Sequence, residues 1–148
     1  MIASETGAVE RLSYGRLAGL LGLAALIVSA AGVYPTVRGH GAAGLAAAGA
    51  ALGINIPVFL LAGWAVRRAA RRGGALLAGR VLGGAGFVRL IVVAAAGAAL
   101  EQLLTPPSMT FWLWVIGLYV FMALAEAWWA GKAFSSAPAE AKRRNAPP

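Results

Sequence analysis

The chain has 148 residues, 60% of them hydrophobic and 12% charged, with a formal net charge of +8, one histidine and no cysteine. A soluble domain is typically about half apolar and about a quarter charged, so this composition, with a mean hydropathy of +0.76, excludes an ordinary soluble domain and a disordered chain. Without cysteine there is no disulfide scaffold and no thiolate metal centre. The five acidic residues, Glu5, Glu10, Glu101, Glu126 and Glu140, leave little acid–base or metal-binding chemistry, so we expect no catalytic residues, metal or cofactor.

In chain order, residues 1–16 read as a cytoplasmic N-terminal segment with Arg11 and Arg16. Four apolar runs follow, at about 17–34, 41–66, 75–104 and 111–131, each near the roughly 20 residues that cross a hydrocarbon core. Leu20 to Ala31 and Val81 to Leu100 are apolar on nearly every face, which amphipathic soluble helices are not. The expectation is an all-α integral membrane protein whose residues 17–131 form a four-transmembrane-helix bundle. A signal peptide is the alternative for the first run, because Arg11 and Arg16 precede it and small residues close it at Ser29, Ala30 and Ala31; its removal would leave three spans. Pro35, Gly73–Gly74 and Pro106–Pro107 mark the connections.

Charge orients the spans. Arg11 and Arg16, then Arg67, Arg68, Arg71 and Arg72, then Lys132, Lys142, Arg143 and Arg144 fall on one side, against Arg38 on the other. The positive-inside rule places both termini and the central loop in the cytoplasm. Phe111, Trp112 and Trp114 at one end of the last run, with Trp128 and Trp129 at the other, read as an aromatic belt. Residues 132–148 read as a disordered basic tail drawn to anionic lipid. The membrane accounts for most of the positive charge, so nucleic acid is not expected as a partner.

Function is sought in two residue classes. The pairs Gly15/Gly19, Gly49/Gly53 and Gly79/Gly83 permit close helix approach, within the bundle or against another protein. Within the spans lie Arg80, Arg89, Glu126 and the polar Asn55. At 1.5 Å per residue, Arg80 and Glu126 both sit roughly 7 Å from the cytoplasmic boundary and are expected to pair, while Arg89 lies roughly 20 Å in. Nine residues separate the two arginines and put them on opposite faces. Arg89 is then left to Asn55 and backbone carbonyls by snorkelling, to a partner's carboxylate, or to a water-filled cavity. Asn55 beside Pro57 in "GINIPVF" also has a plain reading, a polar residue accompanying a proline kink.

Three stretches, "GAALGINIPVFLLAGWAVRR", "LAGRVLGGAGFVRLIVVAAAGAAL" and "WVIGLYVFMALAEAWWAG", give the chain from about Leu17 to Lys132 a likeness to one family. It resembles ATP synthase protein I, the small I chain associated with bacterial F-type ATP synthases. Many members carry Gly-Glu-x-x-Lys in the third helix; here Ala85, Gly86 and Arg89 take those places, keeping the basic position without the acidic one. The resemblance implies a non-catalytic accessory protein of the bacterial cytoplasmic membrane that assists assembly or stability of the c-subunit ring. Arg89, with Gly83, Gly84 and Gly86 around it, would then engage the buried carboxylates of the c subunits. The competing expectations are a small oligomeric transporter or channel subunit for divalent cations, which would need a homo-oligomer because each chain offers only Glu126, and a holin-like pore former.

Overall fold

The computed structural model describes residues 14–135; the N-terminal segment 1–13 and the tail beyond 135 lie outside the described residues, and with them the expectations for Arg11, Lys142, Arg143 and Arg144. The described residues are helical apart from 105–107 and the backbone breaks at Gly41, Gly73 and Gly74. Three helical stretches are long and apolar enough to cross a membrane. We label them α1 (Tyr14–Gly74), α2 (Leu76–Leu104) and α3 (Ser108–Ser135).

The first two expected helices are therefore one helical stretch, and the expected loop at Pro35 is absent. Helical geometry runs through Pro35 as far as His40 and breaks only at Gly41, with φ 56° and ψ −135°. Such dihedrals are open to glycine and forbidden to residues with a Cβ. Proline removes one hydrogen bond, whereas an unwound loop in an apolar setting would strand several backbone groups, so helix persists past Pro35. The break folds α1 on itself: the Tyr14 hydroxyl donates to the Leu60 carbonyl at 3.3 Å, and Leu17 lies against Gly63. Gly73 (φ −141°) and Gly74 (φ 68°, ψ −164°) separate α1 from α2 as the sequence suggests.

Between α2 and α3, Thr105 adopts φ 43° ahead of Pro106 and Pro107. Its N–H donates to the Glu101 carbonyl at 3.1 Å, closing α2, and Phe111 N–H donates to the Pro107 carbonyl at 2.9 Å, opening α3. The preceding-proline clash drives Thr105 off the right-handed helical region. Glu101 ties the corner, accepting from the Ser108 hydroxyl and, at 2.7 Å, from the Trp112 indole.

α3 touches every other segment. It runs antiparallel to the first arm of α1, where Trp114 meets Gly32 and Thr36, and antiparallel to α2, where Trp112 meets Gly97. It runs parallel to the second arm, where Asn55 faces Val115 and Phe59 faces Tyr119. The buried residues Ala48, Ala51, Asn55, Phe59, Gly63 and Val66 of that arm, with Phe111, Val115, Leu118, Met122 and Glu126 of α3, recur at three- and four-residue spacing, the period of packed helices.

Close approach occurs at glycines other than those expected. A Cβ on Gly32 would lie 2.8 Å from Trp114, one on Gly97 would lie 2.9 Å from Trp112, and one on Gly63 would collide with Leu17. Gly19, Gly49, Gly53, Gly79, Gly83 and Gly84 have nothing within 4 Å and face outward with Leu26, Leu61, Phe87 and Leu113. The aromatic belt is corrected likewise. Phe111, Trp114 and Trp129 are core residues, while Trp128 is exposed beneath the Lys132 ammonium, 4.0 Å from its ring centroid.

Candidate functional site

Four buried polar or charged residues stand out among the described ones: Thr36, Asn55, Arg89 and Glu126. Thr36 is satisfied locally, its hydroxyl accepting from the Trp114 indole at 2.9 Å. Asn55 and Arg89 sit near the middle of the second arm of α1 and of α2, and Glu126 in the second half of α3, on the faces where the helices meet.

Arg89 donates from Nη1 to Glu126 Oε2, with the two residues 6% and 2% exposed. The Glu126 partner is therefore Arg89 and not Arg80. Depth measured from the helix ends matches Glu126 to Arg80, so depth does not give the partner. Rotation chooses. Arg89 shares its face with Ala78, Ala85 and Val93, which are buried or half-buried, while Arg80 shares the opposite face with Gly84, Phe87 and Ile91, all exposed. The alanines Ala78 and Ala85 on the inner face let the neighbouring helices come close, while Phe87 and Ile91 turn outward with the open Gly84.

The guanidinium carbon of Arg89 also lies 4.3 Å from the centroid of Phe59. Phe59 meets Tyr119 edge-on, with centroids 5.5 Å apart and an interplanar angle of 65°, and the Tyr119 hydroxyl donates to the Gly86 carbonyl at 3.3 Å. One face of the cation is thus covered by a ring whose quadrupole attracts it, an interaction of about 2 kcal/mol when desolvated. The carboxylate removes the larger cost: an unpaired charge at the centre of a span costs at least about 2.5 kcal/mol.

Asn55, 0% exposed, does not bind Arg89. Its Nδ2 donates to the Ala51 carbonyl at 3.0 Å, one turn back, and to the Val115 carbonyl at 3.4 Å. It links the second arm of α1 to α3. Asn55 Oδ1, Arg89 Nε and Glu126 Oε1 are buried without protein partners, so the centre retains hydrogen-bonding capacity.

The expected partner-binding set divides. Arg89 is engaged inside the chain and Gly86 is half-buried beside it, whereas Gly83 and Gly84 are exposed and open. The sequence reading missed Phe59 and Tyr119. Their signal was spacing, since Phe59 is one turn from Asn55 and Tyr119 lies two turns from Glu126, each on the face of the polar residue. No group of three or more metal-ligating side chains occurs among the described residues. Chemically, the arrangement is a charge-neutral clasp joining α1, α2 and α3. Comparison with protein-family models, with curated proteins and with solved structures finds no match for this chain.

Proposed function

We propose that the chain crosses the bacterial cytoplasmic membrane four times, with both termini and Arg67–Arg72 in the cytoplasm, and serves as a non-catalytic accessory protein of the F-type ATP synthase, assisting its c-subunit ring. Length supports four crossings: residues 14–40 and 42–72 each extend more than about 40 Å at the helical rise, enough to cross a core of about 30 Å once per arm. Arginine asymmetry supports the orientation.

The observation that carries the accessory reading is the Arg89–Glu126 pair. A subunit that conducts divalent cations needs acidic or carbonyl ligands open to its cargo. Glu126, which an oligomeric transporter would use, is held by Arg89. The surface left for a partner is apolar and small, with Gly79, Gly83 and Gly84 open on α2, where a transmembrane helix can approach closely. This moves the proposed partner contact from Arg89 to the outward face of α2. Mild crosslinking in native membranes followed by purification should enrich the c subunit, and Gly83→Leu should diminish that enrichment while leaving the chain folded. Recovery of the chain without c subunit would defeat the proposal.

A further inference from the structure

The basic end of α1 carries a cluster that the packing of the bundle does not use. Trp64, Arg67, Arg68, Arg71 and Arg72 line a concavity of about 290 Å³. Trp64 is half-exposed, and the Arg68 guanidinium lies 5.3 Å from its ring centroid. Arg67 is half-buried, and its Nε–H is enclosed without an acceptor.

We infer that this concavity is a binding site for the phosphodiester headgroup of an anionic phospholipid. The inference rests only on the helices lying in a membrane. Arg67/Arg71 and Arg68/Arg72 are spaced i, i+4, which places like charges side by side on one helix and disfavours it. The helix C-terminus offsets only about half a unit of charge. Among the described acidic residues, Glu126 is taken by Arg89 and Glu101 by Ser108 and Trp112. Four cations around one hollow therefore lack an anion from the described part of the chain.

Position selects the source of that anion. The arginines follow directly on the buried Val66 and the half-exposed Trp64, where an apolar helix passes into its basic end. Phospholipid phosphates lie at that level, and an interfacial tryptophan packs beside the glycerol and upper acyl region. Guanidinium forks offer two parallel N–H donors to phosphate oxygens, which an ammonium does not. The Arg67 Nε–H, enclosed without an acceptor, leaves hydrogen-bonding capacity on a residue that lines the hollow.

The test is native mass spectrometry of the full chain in neutral detergent, titrated separately with phosphatidylglycerol, phosphatidylcholine and inorganic phosphate. Phosphatidylglycerol adducts should exceed phosphatidylcholine adducts by about tenfold, with inorganic phosphate binding weakly. Changing Arg67, Arg68, Arg71 and Arg72 together to Lys keeps the charge, and with it the orientation of the spans, yet should cut the phosphatidylglycerol preference about threefold or more. Arg16→Ala should leave it unchanged. Trp64→Leu, which keeps all four arginines, should also lower it and decides the matter if the fourfold variant fails to fold. Equal binding by the wild type and the Lys variant, or an equal loss in Arg16→Ala, would show diffuse charge attraction and overturn the site. Inorganic phosphate binding as well as the lipid would overturn its assignment to a headgroup.

Discussion

Arg89 of α2 and Glu126 of α3, separated by 37 residues in sequence, form a buried ion pair at the centre of the helices, with the ring of Phe59 from α1 lying over the guanidinium. Three segments are tied by one charge-neutral cluster. Its members are costly apart and tolerable together, which makes the cluster a determinant of how the helices are rotated against each other.

The Phe59 ring should contribute beyond its volume. Phe59→Leu keeps an apolar side chain but removes the π face over Arg89, and should lower stability by about 2 kcal/mol. Tyr119→Phe, which retains the ring and loses only the bond to the Gly86 carbonyl, should cost about 1 kcal/mol. Thermal unfolding in a single detergent compares the two; equal effects would remove the cation–π contribution from the account.

Glycines should sort by facing rather than by motif. Gly97→Leu and Gly32→Leu force side chains against Trp112 and Trp114 and should each destabilise by about 1 to 3 kcal/mol or more. Gly49→Leu and Gly79→Leu have open space around them and should leave the unfolding midpoint of the isolated protein nearly unchanged. Loss of folding in the second pair would place those glycines at internal contacts.

Much of this architecture is legible in the sequence because the relevant physics is local. The apolar runs, the Gly73–Gly74 break and the Pro106–Pro107 corner each follow from a few neighbouring residues. Pro35 misleads because a helix surrounded by apolar groups keeps its remaining hydrogen bonds past a proline, so the turn waits for Gly41. The intramembrane charges are also visible, but their pairing is not readable from depth alone. Measured from helix ends, Arg80 matches Glu126; the deciding quantity is rotation, carried by the small Ala78 and Ala85 on the face of Arg89 and the bulky Phe87 and Ile91 on the face of Arg80. Phe59 and Tyr119 belong to a tertiary contact between α1 and α3; their spacing puts each on the face of a buried polar residue, but no local pattern announces that the two rings meet.

Thr105 holds a left-handed conformation that a β-branched residue occupies at a cost of about 1 to 2 kcal/mol. Thr105→Gly should therefore raise the stability of the α2–α3 corner by about 1 kcal/mol, a gain reduced by the larger backbone entropy of glycine when unfolded. Chemical denaturation of the two proteins side by side reads the difference, and a loss of stability would contradict the strain.

Asn55 makes two carbonyl contacts and buries an unpartnered Oδ1. Asn55→Leu exchanges both for apolar contact and should alter stability by less than about 1.5 kcal/mol. It should leave the proposed association with the c subunit intact, because Asn55 is enclosed by α1 and α3. Abolished co-purification with normal folding would give Asn55 a functional role that this account denies it.

The most direct measurement is a double-mutant cycle on the purified protein with Arg89→Gln, Glu126→Gln and their combination, alongside Arg80→Gln combined with Glu126→Gln. Each single change in the buried pair leaves a charge uncompensated and should cost about 3 to 5 kcal/mol, while the Arg89→Gln/Glu126→Gln protein should be more stable than either single variant. Arg80→Gln should give no such rescue. Additive losses at Arg89 and Glu126, or rescue of Glu126→Gln by Arg80→Gln instead, would contradict the pairing on which the account rests.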